Sequence, residues 1–302
     1  MKYLVTLAVL SAVFMAAFLI LRPRLGELGS PTAPDASGRS RRRVPDGTIA
    51  PSAPEPPTPG GVGAAPTSAP TEEEAARAGV RHLEAVEKWI LDLVNENRRR
   101  EGGGALKDLS WDDTLRDSAR RHSDDMLLRG FFDHVNPDRM SPADRIARAH
   151  RRLVGLTGEN IWEASGWDTS DDRRLAGQIV KDWMESPGHR ENILRPEYTH
   201  LGVGVAVRGG EVRATQNFAY VRALLAEPLP EAVRDGETLS LATSPMADRY
   251  DYWQSDNGSR VGDALDISDA VVRASPGSYK LRFYFKSPGG YSIYVGPEVQ
   301  VK

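Results

Sequence analysis

The sequence predicts an α+β fold, preceded by a membrane-spanning helix and a proline-rich linker and followed by a small all-β domain. Three patterns carry that prediction. Apolar residues recur at helical spacing between Val86 and Trp183, two runs around Gly209-Gly210 read as a β-hairpin, and residues 279–295 alternate with the period of a strand. Helices packed on a small antiparallel sheet make an α+β domain.

Taken in order, the chain begins with an apolar run from Tyr3 to Leu21, interrupted only by Thr6, Ser11 and the tyrosine hydroxyl. At about 1.5 Å per residue, such a helix crosses the ~30 Å hydrocarbon core of a bilayer. Arg22-Pro23-Arg24 ends it, and no A-x-A-like cut site follows Ala17, so residues 1–22 read as an anchor or uncleaved signal. A cleaved signal peptide, giving a secreted protein, is the alternative. Lys2 on one side and Arg22 and Arg24 on the other leave the charge rule for orientation nearly balanced.

Residues 23–71 form the linker. Between Pro23 and Pro70 lie eleven of the chain's 21 prolines, with Ala, Ser, Thr and Gly between them. Such composition cannot bury enough apolar surface to fold.

The folding sequence divides at about residue 222, into a domain over 72–222 and an all-β domain over 225–302. Val86, Ile90, Leu93 and Val94 predict a helix stopped by Gly102-Gly103-Gly104. Ser110 and Asp113 suggest a capping box for a second helix, whose inward stripe is Leu115, Ala119, His122 and Met126. Ser141-Pro142 opens a third helix, and Leu175, Ile179, Val180 and Trp183 mark a fourth, broken at Ser186-Pro187-Gly188. Leu201–Val207 and Glu211–Tyr220 are the hairpin strands. In the last domain Tyr279, Leu281, Phe283 and Phe285 face one way, and Tyr291, Ile293 and Val295 alternate back after Pro288-Gly289-Gly290.

Composition excludes several functions. A net charge of -3 leaves no basic footprint for nucleic acid. With no cysteine there are no disulfides, thiol nucleophiles or Cys-ligated zinc. No Ser or Thr stands in a nucleophile motif, and H-E-x-x-H is absent.

Of the six histidines, His82 and His150 lie in charged helical sequence and read as solvated. His122 reads as a core residue satisfied by its neighbours, and His200 as a strand end. His134 and His189 differ, each lying beyond a helix end in a loop bounded by proline. Between them, Gly158-Glu159-Asn160 places a carboxylate after a glycine turn. Loops on a rigid scaffold are where functional side chains usually sit. Trp162 and Trp167 read as packing, as do Tyr250, Tyr252 and Trp253, although their acidic neighbours Asp251 and Asp256 with Asn257 also suit a sugar.

The ordered set Leu-x-x-x-Asn95, Leu109-Ser110-Trp111 with Leu115, Phe-x-His134-x-Asn136-Pro137, Gly158-Glu159-Asn160, Trp183 with Ser186-Pro187-Gly188-His189-Arg190-x-Asn192-Ile193-Leu194, and Leu201-Gly202-Val203-Gly204 resembles the CAP superfamily. That superfamily comprises cysteine-rich secretory proteins, antigen five and pathogenesis-related proteins. The likeness is to its bacterial, SCP-like branch and covers about residues 86 to 220.

The resemblance implies a CAP-type α-β-α sandwich with a cleft holding His134, His189 and Glu159. Eukaryotic members carry a further glutamate where this chain has Ser186, and Glu185 falls one residue early, so it is the weak fourth member of the set. Two imidazoles and one or two carboxylates suit a divalent cation such as zinc, with His134 and His189 as metal ligands alongside Glu159. They equally suit the polar head of a lipid, cell-envelope or protein ligand. The expected protein is therefore a membrane-tethered, extracytoplasmic binding protein at the cell envelope, with a metal-dependent hydrolase or a non-catalytic scaffold as alternatives.

Overall fold

The computed structural model of the chain describes residues 68–302, apart from 256–257, 264, 268–270 and 272–273. The anchor expected over 1–22 and all but the end of the 23–71 linker lie outside the described residues, as do Asp256 and Asn257. Among the described residues no helix is long and apolar enough to cross a membrane.

Helix α1 (Glu72–Arg77) starts on a capping box between Thr71 and Glu74. Strand β1 (Arg81–His82) leads into α2 (Glu84–Glu101), which stops at Gly102. Strand β2 (Ser110–Trp111) and α3 (Asp113–Arg129) follow. The cap of α3 is Asp112 rather than Ser110: its carboxylate accepts from the Leu115 amide at 2.8 Å. Ser110 is withdrawn from that role because it pairs with His200 across a sheet.

Next come α4 (Pro142–Ala149), opened at Ser141-Pro142 as the sequence suggests and capped by a box between Ser141 and Asp144, and β3 (Leu153–Ser165). Then α5 (Asp172–Glu185) gives way at Ser186 to α6 (Pro187–Leu194), with proline at the first helical position, where its missing N–H costs nothing. Strands β4 (His200–Arg208) and β5 (Glu211–Leu225) form the expected hairpin, and Gly209 and Gly210 both take positive φ at its turn. Strands β6 (Ala232–Val233), β7 (Thr243–Ser244), β8 (Arg249–Gln254), β9 (Leu265–Asp266), β10 (Gly277–Ser287) and β11 (Gly290–Val301) complete the described chain.

The sheet runs β1-β4-β5-β3-β11-β10-β8-β9. On one face, α2, α5 and α6 bury Ile90, Ile179, Trp183 and Ile193 against Leu201, Val203, Val205 and Phe218. On the other, α3 and α4 bury Leu115 and Ile146 against Leu153 and Ala219. This is an α-β-α sandwich. Each fully buried aliphatic or aromatic side chain contributes roughly 1.5–3 kcal/mol, so the two faces supply most of the stabilisation.

The glycines of Leu201-Gly-Val-Gly have a packing cause. A Cβ on Gly204 would lie 2.1 Å from the Arg120 amide nitrogen, and one on Gly202 would lie 2.1 Å from that of Arg116. β4 thus turns its valines to α2 and α5 and offers bare backbone to α3.

The break expected at 222–225 falls inside β5, whose last residues Leu224 and Leu225 pair with Ser244 and Thr243. The segment beyond has its own core of Leu229, Tyr250, Leu281, Phe283 and Val299, which also takes in Val154 and Ala223. β11 continues the sheet by pairing Val295 with Gly155. Tyr250 is buried in that core, and the Arg282 guanidinium lies 4.0 Å above the Trp253 ring.

Candidate functional site

α3 ends at Gly130 in the left-handed conformation, and the chain then turns through 131–141 to α4. Three ties fix this loop. The Asp133 carbonyl bonds His122 Nε2 at 3.0 Å, the His134 carbonyl accepts from Arg145 at 2.7 Å, and the buried Asn136 takes the Met140 amide at 2.9 Å. His134 is thereby presented to β3, where its Nδ1 lies 2.9 Å from Glu159 Oε1.

Glu159 is in the middle of β3, not after a turn. Gly158, which suggests a turn, and Gly155 are both close-approach positions. A Cβ on Gly155 would sit 1.8 Å from the Tyr220 carbonyl oxygen, and one on Gly158 would sit 2.2 Å from the Tyr198 hydroxyl. The Glu159 side chain, 1% exposed, has both oxygens engaged: Oε1 by His134 and Oε2 by Arg145 Nη2 at 2.6 Å. Burial pushes the carboxyl up, but His122, Arg145 and the His134 hydrogen bond outweigh it and hold it below the ordinary value of 4.5.

His122 stands behind this pair, with Nε2 at 3.9 Å from Glu159 Oε1. Its ring is sealed, and burial pushes its pKa down to about 4. The neutral ring donates from Nε2 to the Asp133 carbonyl, which leaves Nδ1 as a buried lone pair without a hydrogen-bond partner. The sequence reading of a satisfied core histidine is therefore half met.

His189 lies in the first turn of α6 and not in a loop. α6 is fastened through three side chains. Arg98, buried in α2, donates to the Ile193 carbonyl at 2.7 Å, and Asn192 donates to the Glu159 carbonyl at 3.2 Å and to Asn160 Oδ1 at 2.9 Å. Asn160 in turn donates to the His189 carbonyl at 3.1 Å. Consecutive strand residues point to opposite faces. Glu159 faces α3 and α4, while Asn160 faces the layer of α5 and α6, so the segments bearing His134 and His189 approach β3 from its two sides.

Glu185 stands apart. It ends α5, with an exposed side chain 3.9 Å from Lys181, and lines a hollow with Glu96 and Arg100 of α2. The one-residue offset from the motif turns it outward. Two further histidines are less solvated than their sequence suggests: His82 Nε2 lies 2.9 Å from Asp124, and His150 Nε2 lies 3.3 Å from Asp112.

The arrangement has definite chemistry. A carboxylate only accepts, so Nδ1 of His134 carries the proton and the neutral ring keeps its lone pair at Nε2. Such an imidazole accepts a hydrogen bond or a proton, with Glu159 fixing its tautomer. The set fits a divalent cation poorly, because Arg145 already holds the second Glu159 oxygen and places a positive charge there. Among the described residues no group of three or more His, Asp or Glu side chains is arranged to hold a metal ion. Arg145 is the member that sequence reasoning missed; its one signal was an arginine beside the inward-facing Ile146 of α4.

Residues 91–218 match the cysteine-rich secretory protein (CAP) family. "Uncharacterized protein YkwD" of Bacillus subtilis is 40% identical over 127 residues, covering 42% of this chain and 45% of that protein. "Uncharacterized membrane protein YlbC" of the same organism is 38% identical over 119 residues, covering 39% of this chain and 31% of its own length. The chain therefore spans less than half the length of either relative. A solved extracellular protein containing a SCP domain, from Bacillus anthracis, is 32% identical, with a TM-score of 0.38, over 51% of this chain and 45% of that one.

Proposed function

Starting from a chain that carries a CAP domain with SCP-like relatives in Bacillus, we propose that it is a membrane-tethered binding protein of the cell envelope, working outside the cytoplasm. His134 receives a polar group of the ligand, which is a lipid, another envelope component or a protein. The observation that carries this reading is the 2.9 Å contact of His134 with a Glu159 that Arg145 holds in place. Such a group is oriented before any ligand arrives, which lowers the ordering cost of binding.

Tethering rests on the apolar run Tyr3–Leu21 and is supported by the name of one relative, a membrane protein. A reporter active only outside the cytoplasm, fused after Lys302, gives signal on this reading. A silent reporter contradicts it.

For the site, full-length wild type and His134→Ala are compared for retention of isolated envelope material. Loss in the variant, at unchanged melting temperature, supports the binding role; equal retention leaves only a scaffold. A divalent cation has to displace Arg145 or settle on His134 without Glu159, so calorimetry with zinc chloride is expected to show at most weak uptake.

One feature favours a second reading. A carboxylate-oriented imidazole is the geometry of a general base, and hydrolysis of a peptide or envelope substrate that disappears in His134→Ala would establish an enzyme.

A further inference from the structure

A hollow of about 600 Å³ lies beside α4, built jointly by the helical part of the chain and the all-β segment. Its size is within the roughly 300–1,000 Å³ of ligand sites, but its walls are unlike those of a lipid pocket. Met140 is its only apolar lining side chain. The rest are cations, carboxylates, hydroxyls and an amide.

Most of the charged groups around it are already spoken for. Lys280 Nζ donates to Asp144 at 2.7 Å, and Arg151 donates to the Leu229 and Pro230 carbonyls at 2.9 and 2.7 Å. Glu298 accepts from Ser255 at 2.8 Å and also from Ser278. Arg139 and Arg148 differ: both are exposed, and neither side chain has a hydrogen bond or ion pair among the described residues.

Arg139 is also held in an uncommon conformation. Its φ is 61°, and among the described residues it is the only non-glycine with positive φ. That conformation costs a residue with a Cβ and is free for glycine. The turn is pinned by the Arg139 amide donating to the Asn136 carbonyl at 2.8 Å and the Met140 amide donating to Asn136 Oδ1 at 2.9 Å. A long cationic side chain kept at a position suited to glycine, on the wall of a polar hollow, points to a role for the side chain itself.

We propose that this hollow binds a hydroxyl-rich anion, either a polyol phosphate or an acidic saccharide. Arg139 and Arg148 take its charged group, since the planar guanidinium matches oxyanion geometry. Glu231, Glu298 and Gln300 serve its hydroxyls. The site is separate from the pair His134 and Glu159, and the all-β segment is needed to complete it.

Calorimetric titration of the full-length protein with glycerol 1-phosphate, glucuronate and neutral glucose tests this. At least one of the two anions binds and glucose does not. Affinity falls about tenfold in Arg148→Ala and in Arg139→Gly, the share of one charge-assisted hydrogen bond. Arg139→Gly keeps a melting temperature no lower than wild type, which separates lost binding from lost folding, and His134→Ala binds normally. Binding of glycerol 1-phosphate alone identifies a polyol phosphate, and of glucuronate alone an acidic saccharide; both support the proposal. Failure of both anions to bind, glucose binding as well as they do, or affinity unchanged in both arginine variants overturns it.

Discussion

Arg145 Nη2 and Glu159 Oε2 lie 2.6 Å apart, joining the second turn of α4 to the middle of β3. Both side chains are largely removed from water, at 10% and 1% exposure. The pair fixes the carboxylate, the carboxylate fixes His134, and the same guanidinium holds the His134 carbonyl. One arginine thus positions the candidate site from two directions.

Removing that arginine alone strands a buried carboxylate. Arg145→Met is expected to destabilise the fold by about 3–5 kcal/mol, the usual cost of breaking a buried ion pair. The double variant Arg145→Met with Glu159→Gln is expected to lose less than the sum of the two single changes. Urea unfolding of the four proteins measures this coupling, and strict additivity would show that the pair is not an energetic unit.

The pH dependence follows from His122. Folded, its pKa is pushed down by burial to about 4; unfolded, it is near 6.5. Between those values the unfolded chain binds the extra proton, so stability falls as pH falls from 6.5 to 4, by about 3 kcal/mol in all. Glu159, whose carboxyl is held low, adds a further loss as pH drops through its lowered value. His82 has the opposite sign. Its hydrogen bond to Asp124 raises its pKa, so its contribution is present in acid and is lost as pH rises through the raised value. His122→Phe is expected to flatten the stability curve between pH 6.5 and 4, and chemical denaturation across that range reads the slope.

Two glycines of the same chain are expected to respond oppositely to alanine. Gly204→Ala forces a methyl group against the α3 backbone and costs about 1–3 kcal/mol. Gly177, inside α5, has nothing within 4 Å of its missing Cβ, so Gly177→Ala is expected to stabilise by about 0.5–1 kcal/mol. Thermal melts of the two variants decide between close approach and mere sequence habit as the reason for each glycine.

Helices were the legible part of this sequence, because capping residues and apolar spacing act over a few neighbours. Gly102 stops α2 and Ser141-Pro142 starts α4 as read. β3 was hidden by Gly158, which reads as a turn residue but is present for its contact with Tyr198, remote in the chain. His134 and Glu159 could be singled out by type and motif. Arg145 could not, since its importance comes from a carboxylate 14 residues away that only folding brings near. For the same reason His122 looked like ordinary core, although it stands 3.9 Å from Glu159.

The direct test of the site is the protonation of the His134 ring, read from its two ring nitrogens by nitrogen-15 NMR at neutral pH. Free histidine prefers the proton on Nε2; held by Glu159, His134 is expected to carry it on Nδ1 and to revert toward the ordinary tautomer in Glu159→Ala. A neutral His134 protonated on Nε2 in the wild type would contradict the account, because Glu159 would then not be orienting the ring.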